Sequence, residues 1–338
     1  MPTQIFRFTE RCVWIVKRVA DDTDEPAAPE GGGGFADYAI IPLHCLRIYL
    51  DTSYRMTIDL LTEMPQITRE IGRFKADLPH PSTLCLAFER IEMNVCRVLL
   101  RYSAQLHDTG DIAAIDATYY DRSRASRHYC QRTNYRVQTL EATKLVDTDT
   151  QVVLDLHCTT TRAGSDAEVC EQLARVPAGE LRILTADKGY DCNWLREDLR
   201  DLGVRPLIKH WINKPYDHAH NARIDDDLYG QRSMAETVNS SVKRSLGVAL
   251  RARSWYREFR EVTLMCTVCN IKKAAKQQIP LPHAIKHGQI NTQRCGAGAG
   301  VCCGESPAVN EVSRPDRGGW VGRREAGERA SAKKEGPR

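Results

Sequence analysis

An α/β fold, a mixed sheet flanked by helices with an N-terminal helical domain in front, is what this sequence predicts. Three observations carry that expectation. Between residues 111 and 210, short apolar strand-like runs alternate with stretches of helical period. Ahead of them, residues 38–106 repeat apolar side chains at helix spacing. Behind them, residues 229–243 place their polar landmarks on one face of a helix.

Taken in order, residues 1–37 begin with a short amphipathic run around Trp14. They pass into acidic residues, Pro26, Pro29 and four consecutive glycines, the composition of a flexible extension. Residues 38–108 form the helical domain, punctuated at Pro65, Pro79 and Pro81, with Ser82 or Thr83 the expected N-cap ahead of Leu84. Arg69, Arg73 and Lys75 cluster within it. Residues 109–279 change period. Strands are expected over 112–119, 135–146 and 151–159, the last two joined as a hairpin across 147–150. A helix over 166–175 capped by Ser165, a strand over 181–186, a helix over 193–202 ended by Gly203 and a strand over 204–209 follow. A loop leads to the 229–243 helix, and a last helix spans 255–276, basic at and before its start through Arg251, Arg253, Arg257 and Arg260. Residues 280–338 are rich in Gly, Arg, Glu and Ala with little periodicity, and read as a disordered tail.

Composition narrows the class. A chain of 338 residues accommodates about two domains and a sizeable core. A net charge of +4 is compatible with nucleic acid but too weak to argue for it alone. The 13 cysteines are an odd number without framework spacing, and no leader-like apolar segment opens the chain, so reduced thiols in a cytoplasmic protein are expected. No run of 18 apolar residues is present, which argues against a membrane partner. Cys266 and Cys269 have C-x2-C spacing, yet they sit inside an apolar run without a second pair nearby; they read as core thiols.

The chemistry concentrates at Tyr229, Arg232, Glu236 and Lys243. At about 100° per residue these four share a stripe roughly 60° wide, while Met234, Val238 and Val242 face the other way. One carboxylate among two cations and a phenol suits a polyanion brought to a metal, with Glu236 as ligand and Arg232 and Lys243 on phosphates. The stripe alone reads equally as a solvated helix face with an i,i+4 Arg–Glu pair. Two upstream carboxylates weigh on the choice: Asp116 at the end of the apolar run from Ile112, and Asp187 where a strand enters Lys188-Gly189-Tyr190. Acidic groups at strand ends are costly to desolvate without a partner, and three that converge form a hard-oxygen site for Mg²⁺ or Mn²⁺. By contrast, Asp225, Asp226 and Asp227 read as a solvated acidic loop, and His210, His218 and His220 beside Trp211 as DNA-contacting or structural residues.

Over residues 38–277 the sequence resembles the insertion-sequence DDE transposases, specifically the group carrying a Tyr-x2-Arg-x3-Glu-x6-Lys motif. Tyr229, Arg232, Glu236 and Lys243 match it without a gap, and Asp116 and Asp187 occupy the two Asp contexts in the right order. The resemblance implies a ribonuclease-H-like fold, which the order βββαβαβα fits. It also implies an N-terminal region that binds DNA ends. Asp116, Asp187 and Glu236 would then be both catalytic residues and metal ligands for two Mg²⁺ (or Mn²⁺) ions, with Tyr229, Arg232, Lys243, Asn239 and Lys188 as DNA contacts and His128, Tyr129 and Arg132 as weaker ones. The implied reaction is metal-dependent cleavage at the element's ends followed by attack of the freed 3′-hydroxyl on target DNA. The partners are double-stranded DNA, both terminal inverted repeats and target, and further copies of the chain in a homo-oligomer. Between Asp187 and Glu236 there is room for one strand and a loop, so the β-rich insertion of some relatives is not expected. The rivals are a nuclease or resolvase without strand transfer, an inactive DNA-binding remnant, and a tyrosine recombinase acting through Tyr229.

Overall fold

In the computed structural model the described residues are 2–19, 37–73, 77–122, 127–134, 138–160, 169–170, 173–174 and 180–281. The expected tail, most of the Ser165-capped helix, Lys75 and the Gly-rich stretch at 31–34 lie outside them.

Helix α1 (Gln4–Val19) buries Phe8, Cys12, Ile15 and Val16, spaced to fall on one face. The expectation of a flexible extension therefore fails for this segment: the stripe at Phe8–Val16 is wide enough to anchor it in the core. α2 (Asp37–Tyr49) is buried on most sides and follows the apolar run Ile40, Ile41, Leu43, Leu46. α3 (Tyr54–Thr62) is capped by the Ser53 hydroxyl, which accepts from the Met56 amide. α4 (Pro65–Glu70) precedes α5 (Pro81–Ala87), which starts earlier than the sequence suggested. Pro81 takes the first helical position with its φ already set, and His80, not Ser82 or Thr83, is the N-cap, its ring nitrogen accepting from the Ser82 amide. α6 (Met93–Ala104) completes the helical region.

The sheet follows. β1 (Ile112–Asp121), β2 (Thr139–Asp147), β3 (Val153–Thr159), β4 (Ile183–Ala186) and β5 (Arg205–Ile208) stand in the order β3-β2-β1-β4-β5. β1 is antiparallel to β2 and β2 to β3, whereas β1–β4 and β4–β5 are parallel. That mixed, β1-centred order is the ribonuclease-H-like sheet. Asp147 makes the β2–β3 hairpin tight, one carboxylate oxygen accepting from the Thr150 amide and the other from Gly110. α7 (Arg127–Thr133) lies between β1 and β2, and α8 (Asn193–Asp201) between β4 and β5, with Gly203 at φ +78° closing the latter.

Beyond β5 the expected loop is largely helical. α9 (Pro215–Ala222) and α10 (Asp226–Gly230) occupy it, and the anticipated 229–243 helix is divided: α11 (Ser233–Leu246) starts anew after Gln231 and Arg232. The carboxylate of Asp225 accepts from the amides of Asp227 and Leu228, so this acidic run is a helix cap more than a solvated loop. α12 (Trp255–Gln277) is the longest helix described and is buried along most of its length.

Alternation along β1 sorts the core. Ala113 and Ile115 pack with Leu195, Leu199 and Ile208 on one face, whereas Ala114 and Tyr120 join α1, α2, α6, α11 and α12 on the other. Leu84, Leu99 and Leu100 of the helical region share that second cluster with Leu140 and Leu156 of the sheet. Where the sequence separated residues 38–108 from 109–279, the structure packs them around one core, within a unit spanning residues 1–283. The arginines ahead of and in α12 serve this junction: Arg251 pairs with Asp51, Arg257 with Glu89, and Arg260 donates to the carbonyls of Phe88 and Glu89. Buried Arg47 and Glu261 meet at 3.2 Å, and Glu261 also accepts from the amides of Arg251 and Ala252. The cysteines described are all free, and Cys266 is fully buried, as its apolar neighbours suggested. No described helix is long and apolar enough to cross a membrane.

One buried group gives this core a pH dependence. His44 is enclosed against Tyr54 and Phe88, and burial, aided by the charge of Arg47, pushes its pKa down from 6.5 to about 3. A depressed value means that folding favours the neutral ring, so this contribution is whole above pH 6.5 and lost as pH falls toward 3. Between pH 6.5 and 5 the loss is about 2 kcal/mol, and His44→Leu is expected to remove that part of the slope. Urea unfolding of both proteins across this range measures it.

Candidate active site

β1 carries Asp116 half-buried near its middle, on the face covered by α11. β4 is parallel to β1 in the register Ala113↔Leu184 and Ala114↔Thr185, which carried two residues further sets Asp116 level with Asp187. Asp187 follows the last residue of β4 and caps the turn Lys188–Tyr190, its Oδ1 accepting from the Gly189 amide at 2.7 Å. Glu236 stands exposed in the first turn of α11. The three thus stand on two adjacent parallel strands and on the helix packed across the sheet beside them.

Their charges feel one another. Burial raises the pKa of Asp116 most; the neighbouring charges of Glu236 and Asp187 raise it further, against the Asn239 amide and the Ala117 amide, which lower it. Still, among the described residues no three His, Cys, Asp or Glu side chains stand close enough to hold a metal ion as they are. Glu236 is engaged elsewhere, its Oε1 accepting from Arg232 at 3.1 Å as an exposed i,i+4 pair. The donor set nonetheless suits a hard divalent cation: oxygen ligands only, with a half-buried carboxylate whose raised pKa such a charge would relieve.

The motif residues divide. Tyr229 belongs to α10, where the Arg232 guanidinium and the Lys209 ammonium lie over its ring at 5.6 and 4.5 Å. Tyr229, Arg232 and Glu236 therefore remain neighbours although the helix is interrupted. Lys243 is not on an open face: it donates to Thr118 Oγ1 and lies over the Tyr120 ring, with burial lowering its pKa. Val238 and Val242 are buried as expected, whereas Met234 is only half-buried. Asn239, expected to touch DNA, does not face solvent. It is 4% exposed, and both ends of its amide are used inside the protein. Lys188 sits beside Asp187 with its ammonium 5.8 Å from the exposed Trp211 ring. His128 and Arg132 are exposed on α7, and the Tyr129 side chain lies outside the described residues.

One residue of the site went unnoticed in the sequence. Lys144, directly opposite Asp116 across β1–β2, is fully buried and donates to Tyr120 Oη at 2.9 Å and to Asn239 Oδ1 at 2.7 Å. Asn239 in turn donates to Asp116 Oδ2 at 3.0 Å. Burial holds the Lys144 ammonium below the ordinary lysine pKa. The signal was available: a lysine two residues from both Ala142 and Val146 must share their inward face. Of the histidines in the β5–α9 segment, His210 and His220 are tied into the structure, whereas His218 is exposed. His210 Nδ1 donates to Asp217 Oδ1 at 3.0 Å, a bond that holds the Asp217 carboxyl down at about 2, and the His210 ring stacks on His220 at 3.7 Å.

Residues 107–271 match the family of the transposase DDE domain. No curated protein matches the chain. Among solved structures, the piggyBac transposase synaptic complex with hairpin DNA is 10% identical, aligned over 84% of this chain and 78% of that one, with a TM-score of 0.41. The Mos1 transposase paired-end complex with left transposon end is 13% identical over 68% and 85%, TM-score 0.23. The Mos1 mariner paired-end complex with Mn is 16% identical over 69% and 86%, TM-score 0.21.

The Asp187 turn generates a test of carboxylate placement. A Cβ at Gly189 would come 2.9 Å from Asp187 Oδ1, so Gly189→Ala must push that carboxylate aside. The displaced atom ends a side chain, and the backbone needs no rearrangement. Stability is expected to stay within about 1 kcal/mol of the parent, while Mn²⁺ affinity falls by about tenfold or more. Thermal melts and Mn²⁺ titration of the same preparation check both.

Proposed function

We propose, for a chain whose residues 107–271 belong to the transposase DDE domain family, that this protein cuts the ends of its own element and joins them to target DNA through Asp116, Asp187 and Glu236. The observation that supports the assignment of residues is the β1–β4 register, which sets Asp116 level with Asp187 on adjacent parallel strands, with α11 carrying Glu236 across the same face. The chain is a metal-dependent enzyme of DNA phosphoryl transfer. Two bound Mg²⁺ or Mn²⁺ ions would supply Lewis-acid activation of the attacking oxygen and stabilise the leaving 3′ oxygen.

The protein's own residues have separate tasks. Asp116 is held in place from beneath by Asn239, and Asp187 by its turn. Arg232 is bound to Glu236 and within reach of solvent, so an arriving phosphate competes for the guanidinium and frees the carboxylate to turn toward the other two. Lys188 and the Tyr229 edge flank the same opening as DNA contacts. Lys243, occupied by Thr118, shapes the β1–α11 contact more than it reaches for phosphate. Hydrolysis at the element end and attack by the resulting 3′-hydroxyl are both in-line displacements at phosphorus, so a single site serves twice. Tyr229 then has no nucleophilic role.

A cleavage and joining assay on a duplex spanning the repeats that flank the gene tests this directly. Joined products are expected with Mg²⁺ for the wild type, and none with Glu236→Gln or Asp187→Asn, both of which retain DNA binding. Cutting without joining would make the protein a nuclease or resolvase; binding without cutting in either metal would leave it a DNA-binding remnant. Arg232→Gln should cost under about 0.5 kcal/mol of stability, since an exposed i,i+4 pair contributes little. It should also lower the slope of log affinity against log salt by about one, as expected for one phosphate contact.

A further inference from the structure

An enclosed ammonium is an expensive way to fill a core, and a methionine of similar volume would pack there without desolvation. Lys144 is fully buried, and the two side chains it donates to, Tyr120 and Asn239, are neutral. It faces Asp116 directly across the β1–β2 ladder, where an ion pair between the two would be the simplest outcome. Instead Asn239 reaches down from α11 and stands between them, taking a hydrogen bond from one and giving one to the other.

The consequence lies in the asymmetry of the amide. An ammonium only donates, so Asn239 must turn its single oxygen to Lys144 and its NH₂ to Asp116. The opposite orientation would set the amide oxygen against a carboxylate oxygen and strand the ammonium. A direct Lys144–Asp116 pair would neutralise the charge that a divalent cation needs; the interposed amide passes on orientation without that charge. Resting on the assignment of Asp116 as a cation ligand, we infer that Lys144 is a positioning residue that locks the Asn239 amide in one orientation and so holds the Asp116 carboxylate in the rotamer that binds the cation.

The test uses the full chain and three variants: Lys144→Met, Asn239→Leu and the double. Mn²⁺ binding is read from the electron paramagnetic resonance signal of free Mn²⁺, alongside melting temperature, DNA affinity and Mn²⁺-dependent cleavage. Lys144→Met is expected to weaken Mn²⁺ binding about 10- to 100-fold, as loss of a residue that orients a ligand does, with DNA affinity unchanged. The double variant should bind no more weakly than Asn239→Leu, because Lys144 acts through that amide. Wild-type Mn²⁺ affinity in Lys144→Met overturns the inference, as does a double variant weaker than Asn239→Leu by a further tenfold. Should the single variants fail to fold, the double, which strands neither partner of the Lys144–Asn239 bond, is compared with wild type: equal Mn²⁺ affinity overturns the inference, and a tenfold loss supports it. Glu236→Gln separates the two levels. If it too binds Mn²⁺ as wild type does, the three-carboxylate site is wrong; if it loses binding while Lys144→Met does not, only the role of Lys144 falls.

Discussion

Strand β1 is hydrogen-bonded on both edges and covered on both faces, and everything else is placed by reference to it. Its parallel neighbour β4 ends beside Asp116 and releases Asp187 into a turn. Its antiparallel neighbour β2 sets Lys144 opposite Asp116. The helix α11 crosses the same face, where Asn239 and Lys243, four residues apart, meet Asp116 and Thr118 of β1 in succession, and Glu236 stands three residues before Asn239. A carboxylate half-buried at the middle of such a strand raises the cost of charge there, and nearby carboxylates raise it more.

Polar groups inside this protein are arranged to hold elements at fixed distances. The Lys144–Asn239–Asp116 chain ties α11 to two strands, and the Arg47–Glu261 pair ties α2 to α12. Asn270 of α12 does the same for β3 and α6, exchanging hydrogen bonds with the Val153 backbone and accepting no exposure to water. Each of these would be costly if half-satisfied, so each demands a particular register between its elements. His44 differs, since its ring nitrogens have no partner and its environment only excludes charge.

How the helical region relates to the catalytic sheet is a matter of shared apolar surface. α6 lies against β3 and α12, and Arg260 and Arg257 fasten the α5–α6 connection to α12. The basic residues at and before the start of α12, Arg251, Arg257 and Arg260, are spent on carbonyls and carboxylates of the same chain. Arg232 and Lys188, both half-buried, stand beside Glu236 and Asp187 respectively.

The sequence by itself determined the order of the five strands, the placement of Asp116 and Asp187 on them, and the neighbourhood of Tyr229, Arg232 and Glu236, because two-residue and 3.6-residue periods and a gap-free motif are local properties. Tertiary structure alone decided what those residues touch. The break at Gln231 and Arg232, the turning of Lys243 onto Thr118 and the burial of Asn239 follow from how α11 seats on β1, which no period encodes. α1 was lost to the acidic, Gly-rich composition beside it, though its stripe from Phe8 to Val16 was visible; what remained invisible was the apolar surface of α2 and α12 waiting to cover it. Lys144 is the sharpest case. Its position in an apolar strand could be read, but only the pairing of two strands and one helix makes a buried lysine worth its desolvation, since its partners come from residues 24 and 95 positions away.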